Sequence, residues 1–237
     1  RHGVRMHTHL GEGENEIMEA RWGKRTLEWC RDIGFVGPDV WIAHGWELTN
    51  EEYAFLGEHG MGISHCPAPA ILGGFPILPM GKLRDLNVCV SLGCDGSATN
   101  DSSSLLDSMR IAWMMQAFYS KERGGCISPY EMLKIATVNG AKTLGRDDLG
   151  SLEPGKGADL FLIDAGKLEL AGTLHDPKNL LARAGVTGCT ELTMVNGKVV
   201  WRNGELTGAD ERKLAAEGET VCTRVLRGPC EAFHHLD

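Results

Sequence analysis

Four short apolar runs in the first part of the chain each lead to a polar residue able to bind a metal or move a proton. Gly3 to His9 reads as a strand ending at His9. Val40 to His44 ends at His44, and Met61 to His65 at His65. Asn87 to Leu92 leads to Asp95 in a Gly-flanked turn. Helical texture lies between these runs. Glu14 to Ile33 brings Ile17, Ala20, Leu27 and Cys30 near one helical face, with Gly23 and Lys24 interrupting the stripe. Asn50 can cap a helix through Glu58, with Glu51 and Glu52 in its favourable first turn. Leu78 to Leu86 reads as a connecting helix. The polar tips are spaced 35, 21 and 30 positions apart, room for one strand and one returning helix each.

Further on, Ser128-Pro129-Tyr130-Glu131 offers an N-cap, a first-position proline and the Glu of a capping box. Met132, Ile135, Ala136, Ala141 and Leu144 follow at roughly helical spacing, and Gly145 can close that helix. After Gly150 the texture turns to β. Ala158 to Ile163 reads as a strand, and Leu192 to Trp201 as a hairpin turning at Asn196-Gly197. Asn203-Gly204 marks a second turn, and His175-Asp176-Pro177 a turn away from the strand tips. The division expected is 1–150, 151–206 as a small β layer, and 207–237 as a polar helical tail.

The 237 residues carry 32 acidic against 24 basic side chains, a formal charge of −8. That balance argues against a nucleic acid polymer, whose phosphates need clustered Lys and Arg. No apolar run nears the roughly 20 residues that span a bilayer, so no membrane partner is expected. The eight cysteines (30, 66, 89, 94, 126, 189, 222, 230) include no C-x-x-C pair and read as reduced thiols of a cytoplasmic protein.

Imidazole and carboxylate are ligands that zinc and iron accept. His9, in Met6-His7-Thr8-His9-Leu10-Gly11-Glu12, and Asp95, in Ser91-Leu92-Gly93-Cys94-Asp95-Gly96-Ser97, are the pair expected to share one divalent ion, zinc first and iron second. Glu12 adds a carboxylate able to move protons, and the set points to metal-assisted hydrolysis. Taken singly, each has a plain reading: a core histidine, a solvated Glu at a helix start, an Asp-Gly turn.

His9-Leu10-Gly11-Glu12, Ala43-His44-Gly45, His65-Cys66-Pro67 and Gly93-Cys94-Asp95-Gly96-Ser97 occur in the order found in the amidohydrolase superfamily. More narrowly, they resemble the branch of guanine, 8-oxoguanine, isoxanthopterin and cytosine deaminases and triazine hydrolases. Gly150 to Leu160 and Val195-Asn196-Gly197-Lys198 resemble its C-terminal β-sandwich segments. The resemblance implies an α/β fold: the second half of a distorted (β/α)8 (TIM) barrel, strands five to eight within 1–150, plus a small C-terminal β-sandwich segment.

It also implies roles. His9 and Asp95 are expected to hold the metal. Glu12 would shuttle protons, Asp95 accept one from the attacking water, and His44 hydrogen-bond developing charge. His7 and His65 are candidate substrate contacts, with structural places equally open; Cys66 and Cys94 sit nearby without a base to activate them. The implied activity is hydrolytic deamination of a small nitrogen heterocycle, an 8-oxoguanine-like purine first, with pterin, cytosine or triazine substrates open. Homo-oligomers of the full-length protein are expected. The family's other two ligands form a His-x-His on strand one. His7-Thr8-His9 has that form, but Glu12 suits strand five better and too few polar tips follow for a whole barrel. The expectation is therefore a C-terminal fragment beginning at Arg1. The rival reading is a non-catalytic truncated barrel scaffold. The run Ala68-Pro69-Ala70-Ile71-Leu72-Gly73-Gly74-Phe75 departs from the polar residues common in this branch and predicts a more apolar pocket wall.

Overall fold

The computed structural model describes residues 3–100, 102–119, 127–186 and 188–227. Arg1, Asp101, Cys126, Cys230 and the end of the expected tail, 228–237, lie outside the described residues. In chain order the elements are β1 (Met6–Leu10), α1 (Asn15–Trp22), α2 (Thr26–Asp32), β2 (Val40–His44), α3 (Asn50–Glu58), β3 (Gly62–His65), α4 (Pro67–Leu72), α5 (Met80–Asp85) and β4 (Cys89–Leu92). Then come α6 (Ser97–Asn100), α7 (Leu105–Tyr119), α8 (Pro129–Ala136), α9 (Val138–Thr143), β5 (Leu160–Leu162), short turns to Ala184, β6 (Leu192–Val195), β7 (Lys198–Arg202), β8 (Glu205–Leu206) and α10 (Glu211–Arg227).

β1 to β4 form one parallel sheet in sequence order. Side chains alternate across a strand. One face therefore carries Leu10, Val40, Ile42, Ile63, Val90 and Leu92, each at most 9% exposed. These join a single core cluster with Leu27, Tyr53, Leu56, Leu83, Met109 and Met132 from the helices. Burying each such side chain contributes about 1.5–3 kcal/mol, so this face holds the strands in place. The opposite face carries His7, His9, Ala43, Ser64 and Ser91, small or polar groups, with the large ring of Trp41 among them. Chemistry therefore collects on the side away from the helices.

The chain separates into two compact units: 1–156 with 165–188, and 157–164 with 189–237. The second holds an antiparallel sheet in the order β5-β6-β7-β8, with the predicted hairpin turning at Asn196 and Gly197, both at positive φ.

Several local expectations need correction. Glu14 to Ile33 is two helices, because Gly23 adopts a left-handed φ of 65° and caps α1. Thr49, not Asn50, caps α3, through a full capping box with Glu52. The Ser128–Glu131 box forms as expected, but the helix after it breaks at Thr137. Helix α7 was not anticipated: LLDSMRIAWMMQAFY is apolar on nearly every side, and among its described side chains only Ser108, Met109, Ala112 and Gln116 are fully buried. Its sequence signal was Ser104, whose hydroxyl accepts from the Asp107 N–H at 3.2 Å.

Candidate active site

β1 ends at Leu10, and Gly11 turns the chain at φ 72°. A Cβ on Gly11 would stand 3.1 Å from the Gly45 Cα, so this turn needs glycine to lie against the end of β2. The two loops are stitched together: Gly45 N–H donates to the Leu10 carbonyl (2.9 Å) and Glu47 N–H to that of Gly11 (3.1 Å). Glu14 clamps the turn, its carboxylate accepting from Gly11 N–H at 2.6 Å and Glu12 N–H at 2.7 Å. Burial pushes the Glu14 carboxyl up, but those N–H donors outweigh it and hold it below the usual carboxylate range. Glu47 continues the clamp, accepting from Gly13 N–H at 2.8 Å and Asn15 Nδ2 at 3.3 Å. Arg25 locks that layer with a two-pronged bond to Glu52 (2.8 and 2.9 Å) and a third to the Glu47 carbonyl. Glu12 is thus held by its neighbours' backbone and side chains.

His44 and Asp95 both sit in left-handed backbone conformations, φ 70° and 66°. Such positions cost on the order of 1–3 kcal/mol each and cluster at sites where a side chain must be aimed. Strand register pairs His44 with Leu10 of the helix-covered face. The left-handed turn takes His44 out of that alternation, and its ring centre lies 5.1 Å from that of His9. His44 Nε2 is 3.3 Å from Glu12 Oε1 and 3.8 Å from Asp95 Oδ2. The structure therefore gathers His9, Glu12, His44 and Asp95 at one rim, with His44 in the middle.

The electrostatics follow from burial. Desolvation lowers the fully buried His44 to about 4, against the opposing pull of Asp95, so its imidazole is neutral at pH 7. Desolvation raises Glu12, with Asp95 and Glu14 adding to the rise and His9 opposing it. His65 has no exposed surface; burial, aided by His44, lowers it to about 4. Neither ring nitrogen of His65 has a hydrogen-bond partner among the described residues. His7 shares the His9 face and stacks on Trp41 at 3.6 Å, with Nδ1 3.2 Å from the Trp41 carbonyl oxygen. Burial also lowers its pKa.

The donor set fits a borderline-soft divalent ion. His9, Glu12 and His44 place ligand atoms within 4.8 Å of one another, and His44, Cys66 and Asp95 do the same. Both His44 ring nitrogens are buried without a hydrogen-bond partner among the described residues, as a group awaiting a ligand would be. Burial pushes the Cys66 thiol up to about 12, so it is neutral unless a cation draws it down. Sequence reasoning missed Glu14, which read as a solvated helix-start acid, and did not single out Glu47 at all. It also missed Trp46, whose ring lies 4.4 Å from that of His44 and stacks on Phe75 at 4.8 Å. An apolar loop after His65 was the available signal for Phe75.

The amidohydrolase family profile matches residues 1–200. The chain is 47% identical over 227 residues to hydroxydechloroatrazine ethylaminohydrolase of Pseudomonas sp. strain ADP, covering 95% of this chain and 47% of that protein. It is 37% identical over 233 residues to 8-oxoguanine deaminase of Pseudomonas aeruginosa, covering 96% and 50%. Among solved structures, a zinc-bound mutant of atrazine chlorohydrolase from Arthrobacter aurescens superposes with a TM-score of 0.86 at 29% identity, over 93% of this chain and 49% of that one. A zinc-bound adenosine deaminase from Xanthomonas campestris gives 0.88 at 26%, over 94% and 51%. The chain thus spans about half the length of these relatives.

Proposed function

Because the chain belongs to the amidohydrolase family, we propose that it supplies the proton-transfer half of a zinc-dependent aminohydrolase acting on a flat nitrogen heterocycle. The observation that carries this reading is the rim itself: His44 Nε2 within 3.3 Å of Glu12 and 3.8 Å of Asp95, with His9 alongside. In this reading, residues 1–150 are strands five to eight of a (β/α)8 barrel, 151–206 a β-sandwich segment and 207–237 a tail.

His9 and Asp95 are the residues that would hold the metal, with Cys66 the neighbouring soft donor. When bound, such an ion lowers the pKa of water to about 7 and polarises the carbon under attack. Asp95 takes the proton from the attacking water. Glu12, desolvated and biased toward its protonated form, gives its proton to the ring nitrogen, takes one back from the hydroxyl of the tetrahedral adduct and hands it to the departing amine, and is reloaded by the proton held on Asp95. Neutral His44 keeps an N–H for the charge that develops at the attacked carbon. His7 borders the substrate from the open face, and His65, closed to solvent, supports His44 from behind. Water is kept from the rear of the site by the core under Leu10, Ile42 and Ile63.

An aminated triazine ranks ahead of the 8-oxoguanine-like purine first expected, since the triazine-named relative is 47% identical and the oxopurine-named one 37%. The test is a panel of triazines, oxidised purines, pterins and cytosine, assayed for ammonia or alkylamine release by the complete, zinc-replete protein. Release from at least one class is expected. Zinc bound stoichiometrically with no release from any compound would leave the scaffold reading in its place.

A further inference from the structure

The loop after β4 holds its aspartate from both sides. Asp95 sits at φ 66°, a left-handed position that a non-glycine residue keeps only when its surroundings enforce it. Before it, Gly93 N–H donates to the His65 carbonyl at 2.9 Å. A Cβ on Gly93 would stand 2.9 Å from Ser64 Oγ and 3.0 Å from Cys66 Sγ, so the end of β4 lies hard against β3 only as glycine. The next residue, Cys94, is pinned at two atoms. Its carbonyl accepts from Asn100 Nδ2 at 2.7 Å, and its Sγ accepts from the Ser108 hydroxyl of α7 at 3.7 Å. Beyond Asp95, Asn100 bonds a second time: its backbone N–H donates to the Gly96 carbonyl at 3.0 Å. One buried residue thus ties the carbonyls of both neighbours of Asp95.

That brace decides where the carboxylate points. Asp95 Oδ1 accepts the Gly96 N–H at 2.7 Å, which leaves Oδ2 facing the rim, 3.8 Å from His44 Nε2. We infer that Asn100 is the positioning residue of Asp95, holding the peptide units on either side so that the carboxylate meets the metal at the rim. Without the Asn100 amide, the Cys94 carbonyl loses its partner and the Asp95 backbone is free to leave its left-handed conformation, which swings the carboxylate away. All the groups of the brace lie within 94–108 of this chain. The inference rests on the reading of Asp95 as a metal ligand and adds the residue that aims it.

The test uses the complete protein, stripped of zinc with a chelator and titrated with zinc alone, as wild type, Asn100→Ala, Asn100→Leu, Ser97→Ala and Asp95→Asn. Groups that orient a metal ligand are worth about 10- to 100-fold in metal affinity. Both Asn100 variants should weaken zinc binding by that factor. Ser97→Ala, which breaks the exposed Ser97–Ser103 hydroxyl pair of the same loop, should not. Cobalt in place of zinc should show shifted visible bands in both Asn100 variants, and in the metal-free protein the Gly96 N–H should exchange faster in the same two. Leucine keeps the bulk of asparagine without its donor, so it carries the comparison where the alanine variant does not fold. A lower Tm with zinc affinity, cobalt bands and Gly96 exchange as in wild type would mark a merely structural role and overturn the proposal. If Asp95→Asn weakens zinc and neither Asn100 variant does, Asn100 alone is refuted and Asp95 stands. If Asp95→Asn binds zinc as tightly as wild type, the metal-ligand reading fails and the inference with it.

Discussion

Replacing Glu14 by Gln should loosen the turn that carries Glu12 without touching the groups that do chemistry. The Glu14 carboxylate accepts two backbone N–H bonds, 2.6 Å from Gly11 and 2.7 Å from Glu12, in a half-buried setting. Bonds to a charged acceptor are worth about 1.5–3 kcal/mol each. A glutamine offers one carbonyl oxygen and turns a donor toward the second N–H, so about 2–3 kcal/mol of local closure is lost. At 1.4 kcal/mol per tenfold, the open population of the turn rises roughly 30- to 140-fold. Amide hydrogen exchange at Gly11 and Glu12, corrected for intrinsic rate, should accelerate by that factor. Exchange in β2 and β3 should stay unchanged, and kcat should fall with zinc content intact. Glu16→Gln, one exposed residue further into α1, is the control and should change nothing. The Glu14 carboxyl is held below its ordinary 4.5, so the clamp is fully present above that pH and lost as pH falls through the lower folded value. Unaltered protection of Gly11 and Glu12 in Glu14→Gln at pH 7 would refute the clamp.

Glu12→Gln in the complete protein should lower kcat by about 10²- to 10⁴-fold at normal metal content; an unchanged kcat removes Glu12 from the mechanism. Gly11→Ala forces a Cβ to 3.1 Å from Gly45 at a positive φ and should cost on the order of 1–3 kcal/mol, read as a drop in Tm. The metal-free protein should lose stability as pH falls from 6.5 to about 4. Unfolded histidines take protons in that window which buried His44 and His65 refuse, a penalty of about 3 kcal/mol each, fully developed below pH 4 and absent above 6.5. His65→Gln should flatten the Tm-against-pH curve there, and an identical curve would show that His65 does not carry the effect.

Residues that end or punctuate elements were legible before any coordinates. His44, His65 and the run to Asp95 ended apolar stretches, and Asn196-Gly197 and the Ser128–Glu131 box carried their geometry in their chemistry. Apart from its Ser104 cap, helix α7 was not legible, since apolar residues on nearly every side blur the stripe that would mark its buried face. The split at Gly23 was visible only as an interruption, because a glycine inside a helical pattern ends it only when the following chain must turn.

The chain alone determined which side chains finish which strands, because strand ends and turns obey local rules of periodicity, capping and positive φ. Their neighbours were decided in three dimensions. Glu14 reaches back to its own loop, Glu47 crosses 34 positions to Gly13, and Phe75 folds onto Trp46. His44 leaves its strand's alternation to stand between Glu12 and Asp95. Those distances depend on parallel register and on the left-handed backbone of two non-glycine residues, His44 and Asp95, which the packed sheet imposes and no local stretch of sequence encodes.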